Sequence, residues 1–207
     1  MSTGGRTYRS EKRDAAASRT RARILDSARR LFSARGIEAT TLKAIAAEAG
    51  VAEASVYKVM RSKEGILRAL MEAALFGPTY QAVLARLADE ADPVTLIERT
   101  AEVARAIYEA ESRELGDVRA MAGFSPALRA IEAEFEELRL ELQAARIDAL
   151  FAAGRARRDL TRDQARRVLW LYTARDVWRK LTVESGWSGE EYEGWLRRTL
   201  VEALVAR

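Results

Sequence analysis

The chain has 207 residues, 48% hydrophobic and 32% charged, with 35 Lys and Arg against 31 Asp and Glu for a formal net charge of +4. That balance fits a folded, heavily helical protein of one or two modest domains rather than a disordered one. There is no Cys and no His, which excludes a disulfide framework, a Cys/His zinc site, a thiol nucleophile and an imidazole general base; no metal, cofactor or enzyme activity is expected.

Charge is unevenly placed. From Met1 to Lys63 there are fourteen Lys or Arg against six Asp or Glu, a net +8, while the rest carries twenty-one against twenty-five, a net −4. A basic head beside an acidic body is the pattern of a polyanion-binding module joined to an unrelated one, though a solvated basic tail would look similar. Residues 1–17 lack periodicity and are expected to be a flexible basic arm, with no apolar signal segment. Arg6, Arg9, Lys12, Arg13, Arg19 and Arg21 would add nonspecific attraction or enter a minor groove, or serve only solubility. No run approaches the roughly 18 apolar residues of a membrane span, so a cytoplasmic protein with no membrane partner is expected.

From Ser18 the pattern turns helical: Ile24, Leu25, Ala28, Leu31 and Phe32 form one apolar stripe, and Gly36 suits a left-handed C-cap. Thr40 or Thr41 can cap a second helix with Leu42, Ile45, Ala46 and Ala49 inward, closed by Gly50. A short third helix, about Ala52 to Val59, can bury Val51 and Val56 and leaves Glu53, Ala54, Ser55, Tyr57 and Lys58 outward. Ser62 can cap a fourth, from Lys63 toward Gly77-Pro78. Asp92-Pro93 opens a helix with Ile97, Ala101, Ala104 and Tyr108 inward, and Ser112 to Ser125, with Gly116 and Gly123, is the least regular stretch. Ser125-Pro126 opens a long helix ending before Gly154. Thr161 with Gln164, and Ser188 with Glu191, are capping boxes starting the last two helices, which carry Val168, Leu169, Tyr172, Trp178, Leu181 and then Tyr192, Trp195, Leu196, Leu200, Leu204. The apolar load of this final pair points to a subunit interface.

The second helix, the Gly50 turn and the third helix make a helix-turn-helix whose second member is sized for the major groove of double-stranded DNA. The stretch Arg21-x-x-Ile24-Leu25-x-x-Ala28-x-x-Leu31-Phe32-x-x-x-Gly36, then Thr41-x-x-x-Ile45-Ala46-x-x-Ala49-Gly50-Val51, Val56-Tyr57 and Lys63-Glu64-x-x-Leu67 resembles the DNA-binding domain of the TetR family of bacterial repressors. The resemblance covers about fifty residues; the body is similar only in its helical plan. It implies an all-α fold, with an N-terminal three-helix helix-turn-helix DNA-binding domain over 18–63, after the arm at 1–17, and a C-terminal helical bundle over 64–207 that dimerises and binds an effector. It also implies that Thr41, Tyr57 and Lys63 grip phosphates and that Glu53, Ser55, Lys58 and Lys43 face base edges. Tyr57 could instead pack against the first helix. This chain departs from the family pattern at Ala52, which has no capping hydroxyl, at Ala54-Ser55 in place of Gly-Thr, and at Val59-Met60 in place of His-Phe; Val59 cannot donate to a phosphate.

In the family the middle helices enclose a small-molecule effector, and its binding moves the two heads apart. Here Tyr108, Met121, Phe124, Trp170, Arg175 and Trp178 are the candidate lining. Arg175 would orient an anionic effector or, with Asp176, enter an intrahelical or cross-subunit ion pair. The function expected is a homodimeric, sequence-specific transcription regulator, a repressor released from a palindromic operator. The alternatives are an architectural DNA-binding protein without an effector and a helical carrier or enzyme.

Overall fold

The computed structural model describes residues 4–120 and 125–206. The helices are, in chain order, α1 (Gly4–Arg35), α2 (Leu42–Ala49), α3 (Glu53–Met60), α4 (Lys63–Leu75), α5 (Pro78–Leu87), α6 (Pro93–Ala120), α7 (Pro126–Ala152), α8 (Arg162–Tyr172), α9 (Arg175–Trp178), a π-helical turn at Arg179–Glu184, and α10 (Gly189–Leu204). Among the described residues the one β feature is an antiparallel bridge between Ala156 and Val205. The all-α expectation holds. Two compact units divide the chain, Met1–Met71 with Leu115–Ile131, and Glu72–Glu114 with Glu132–Arg207, so the first unit is larger than the expected head of 18–63.

In the first unit the apolar stripe of α1 is buried as its spacing predicts, with Ile24, Ala28 and Phe32 sealed from solvent beside Ile45, Ala46, Val56, Ile66 and Leu67. Burying each large side chain contributes roughly 1.5–3 kcal/mol. α1 starts at Gly4 rather than near Ser18, where an arm over 1–17 was expected. Absence of an apolar stripe there means only that Ala15–Arg19 lie in solvent; Ala, Arg, Lys and Glu are strong helix formers, and no proline interrupts the run. Leu67, Leu70 and Met71 of α4 line a small apolar pocket with Leu115, Val118 and Leu128, which is why the first unit extends past the expected boundary. The α3–α4 corner is tight: Arg61 has φ 65° and Ser62 N–H donates to the Met60 carbonyl at 2.8 Å. A Cβ on Gly65 would stand 2.0 Å from that carbonyl oxygen, so only glycine fits.

The second unit closes around Ile97, Tyr108, Ile147, Leu150, Leu169, Trp178, Tyr192, Leu196 and Leu200. Both capping boxes are formed, Thr161 with Gln164 and Ser188 with Glu191, and Asp92 accepts the Thr95 N–H at 2.9 Å. Three local expectations change. α5 follows Gly77-Pro78, with Pro78 at its first turn. α6 runs straight through Gly116, whose exposed position has open space where a side chain would be. The expected single helix after Thr161 breaks at Thr173–Ala174, because the Thr173 hydroxyl donates to the Leu169 carbonyl at 2.7 Å and receives Arg139 Nη1 at 2.7 Å and Gln143 Nε2 at 2.8 Å. A side-chain network, not glycine or proline, stops α8.

Candidate nucleic-acid interface

α2 and α3 are joined by Gly50, which sits in the left-handed region at φ 62°, ψ 41° and returns its N–H to the Ala47 carbonyl at 3.1 Å. Val51 N–H reaches the Ala46 carbonyl at 3.0 Å. From α1, Arg23 Nη2 donates to the carbonyls of Ala49 and Gly50, the latter at 3.0 Å. Arg30 adds an ion pair to Glu48 at 3.3 Å.

α3 spans eight residues, about 12 Å of helix axis. Val56 and Met60 anchor its inner side and are buried. Its outer side carries Glu53, Tyr57 and Lys58 exposed and Ser55 half-buried. Tyr57 is 65% exposed, so it does not pack against α1, and Val59 is 38% exposed. Among the described residues the side chains of Glu53, Ser55, Tyr57, Lys58 and Lys43 are assigned no hydrogen bond or ion pair. Ala52 caps α3 without a side-chain bond, as the sequence implies, leaving first-turn N–H groups open beside Glu53.

The two flanking candidates differ. Thr41 is the N-cap of α2, its oxygen accepting the Ala44 N–H at 3.1 Å, which leaves its own proton to donate outward. Lys63 at the start of α4 is only 22% exposed and turns onto the α1–α2 loop, with Nζ 3.0 Å from the Ile37 carbonyl and 3.4 Å from the Glu38 carboxylate. Glu38 in turn accepts the Ser125 hydroxyl at 3.0 Å. In this conformation Lys63 is a loop fastener rather than a free cation. Sequence reasoning missed Arg23, Arg30–Glu48 and Glu38, because side-chain contacts 18 to 87 residues apart leave no periodic trace.

The body candidates are largely engaged within the chain. Tyr108 is buried and donates to the Thr173 carbonyl at 2.6 Å. Trp178 lies edge-on to Tyr192, centroids 4.8 Å apart, and 6.0 Å from Tyr108. Trp170 is half-buried under the Arg139 guanidinium at 5.3 Å. Arg175 pairs with the buried Glu111 of α6 at 2.6 Å, while Asp176 stands 3.8 Å from Arg179. Arg175 therefore pairs with another helix of the same chain, while Asp176 makes an i, i+3 ion pair with Arg179. Met121 and Phe124 lie outside the described residues. The half-buried cation without a hydrogen bond or ion pair among the described residues is instead Arg146, whose guanidinium burial pushes down while Tyr80 beside it pushes up.

Residues 24–70 match the model of the bacterial regulatory proteins, tetR family. A stretch of 52 residues is 42% identical to the uncharacterized HTH-type transcriptional regulator YvkB of Bacillus subtilis (strain 168), covering 25% of this chain and 28% of that protein. NalD, the secondary repressor of the MexAB-OprM multidrug efflux pump in Pseudomonas aeruginosa, superposes with a TM-score of 0.70 at 22% identity, covering 92% of this chain and 98% of NalD. A putative transcriptional regulator from Saccharomonospora viridis in complex with choline superposes at 0.65 and 23% identity, covering 92% and 100%. At such identities the superpositions speak for the fold. With the helix-turn-helix geometry, the match marks residues 24–70 as a head similar to that of the tetR-family bacterial regulatory proteins, and the chain spans about a quarter of the length of the curated relative it matches.

Proposed function

We propose that the chain is a repressor that binds a near-palindromic operator as a homodimer, each subunit laying α3 in the major groove, and that a small molecule held in the body releases it. The observation that carries this reading is the outer side of α3: a helix anchored by Val56 and Met60 presents Glu53, Ser55, Tyr57 and Lys58 without side-chain hydrogen bonds or ion pairs among the described residues. Polar side chains held on a rigid, anchored helix are what base-edge and phosphate contacts need. In this reading Tyr57 and Thr41 hold phosphates, Lys58 reads guanine, and Lys43 and Glu53 border the contacted base pairs. Lys63 reaches phosphate only by leaving the loop carbonyls.

The dimer reading is supported by apolar surface in the last helices, Leu171 and Val183 being 55% and 71% exposed. The effector reading is supported by the choline complex of the Saccharomonospora viridis neighbour. Such a reading assigns the chain a place in the cytoplasm, with no membrane partner.

Selection of bound fragments from random duplex DNA tests the core of the reading. A palindrome with half-sites about one helical turn apart, or a multiple of that, is expected. No enriched sequence at any ionic strength would leave the architectural alternative.

A further inference from the structure

We propose that Arg23 is a positioning residue for DNA reading: from α1 it clamps the carboxyl end of α2 and fixes the turn from which α3 departs. The inference rests on α3 being the reading helix, and it assigns a role to a side chain that need not touch DNA. Arg23 Nη2 donates to both the Ala49 and the Gly50 carbonyls. These lie at the carboxyl end of α2, where unsatisfied carbonyls concentrate partial negative charge and a cation is favoured.

Gly50 completes the clamp. Its φ of 62° belongs to the left-handed region, and a Cβ there would stand 2.8 Å from Arg23 Nη2. The glycine therefore serves the turn and leaves room for the guanidinium. Arg30, two turns along α1, ties α2 to α1 through Glu48, yet that bond joins two exposed side chains and does not reach the turn. Arg23 binds the backbone of the turn itself. A planar guanidinium can serve two successive carbonyls, which a compact ammonium does less well.

Loss of Arg23 should loosen the direction of α3 without removing a phosphate contact, and the two roles differ in their salt dependence. The full-length variants Arg23→Ala and Arg23→Lys are titrated against the duplex that the wild-type protein enriches and against a scrambled duplex of equal length, over a range of salt concentrations. Arg23→Ala is expected to lose roughly tenfold in affinity for the enriched duplex, the equivalent of one charge-assisted hydrogen bond. The scrambled duplex should bind as before, with the slope of log affinity against log salt unchanged. Arg23→Lys should fall between Arg23→Ala and wild type, and amide exchange at Val51 to Val56 should quicken in Arg23→Ala. In a cycle with Gly50→Ala, the second substitution should cost less once the guanidinium is gone. A slope lower by about one, with both duplexes weakened, would make Arg23 a phosphate contact and overturn the proposal. Unchanged affinity for the enriched duplex would overturn it too. Failure of the wild-type protein to enrich any duplex would instead strike the function reading on which it rests.

Discussion

Removing Arg175 separates a structural role for this side chain from a ligand-binding one. Its Nε lies 2.6 Å from Oε1 of Glu111, and the two side chains are 35% and 2% exposed. Replacing Arg175 by Met keeps the aliphatic stem and removes one ion-pair partner from a carboxylate that remains buried. Breaking a fully buried pair costs about 3–5 kcal/mol, and the partial exposure of the arginine lets water screen the remainder, so about 2 kcal/mol is expected. For a chain of this size that is a drop in Tm of about 4–8 °C. Urea titration of Arg175→Met, Glu111→Leu and the double variant provides the assay. The double variant should recover most of the loss, because an apolar pair of similar volume puts no carboxylate in the interior. A loss below about 0.5 kcal/mol in Arg175→Met, or a double variant no better than the single, would refute the reasoning and return Arg175 to the effector candidates.

Thr173→Val removes the acceptor of Arg139 and of the buried Gln143 while keeping volume, and should cost about 2–3 kcal/mol in chemical denaturation. At the α3–α4 corner, Arg61→Gly should stabilise by about 0.5–1 kcal/mol, since relief at φ 65° outweighs the added chain entropy, whereas Gly65→Ala should destabilise by about 1–3 kcal/mol because a backbone carbonyl must shift. Thermal melts of both variants check this corner. The hydroxyl of Tyr192 is buried without a hydrogen-bond partner among the described residues, and burial pushes its pKa up. A raised folded pKa gives stability that is present below the ordinary tyrosine value near 10 and lost as pH rises above it. Tyr192→Phe should therefore raise stability by about 1 kcal/mol at neutral pH, and by more at pH 11 or so, in denaturation measured at both pH values.

The head was legible because its signals are local. Apolar spacing in α1, the capping Thr41, the left-handed Gly50 and the short run to Met60 each depend on neighbours a few residues away. The two capping boxes were readable for the same reason. What escaped depends on distant partners. Nothing around Thr173 announces a helix break, because the stop comes from Arg139 and Gln143 on α7. Arg175 looks like a stray charge until Glu111 is seen beside it. Gly116 reads as a breaker, yet a lone exposed glycine costs a helix only about 0.5–1 kcal/mol, too little to end α6. On α3, the outward places of Tyr57 and Lys58 follow from helical spacing alone. The engagement of Lys63 with Ile37 and Glu38 was invisible to that spacing.

The most direct measurement is the affinity of Tyr57→Ala and Lys58→Ala for the enriched duplex, by fluorescence anisotropy, with circular dichroism confirming an intact helical fold. Both side chains are exposed and carry no hydrogen bond or ion pair among the described residues, so stability should hold to within about 0.5 kcal/mol while affinity falls by about tenfold or more in each. Wild-type affinity in both variants would mean that DNA is read by some surface other than the outer side of α3.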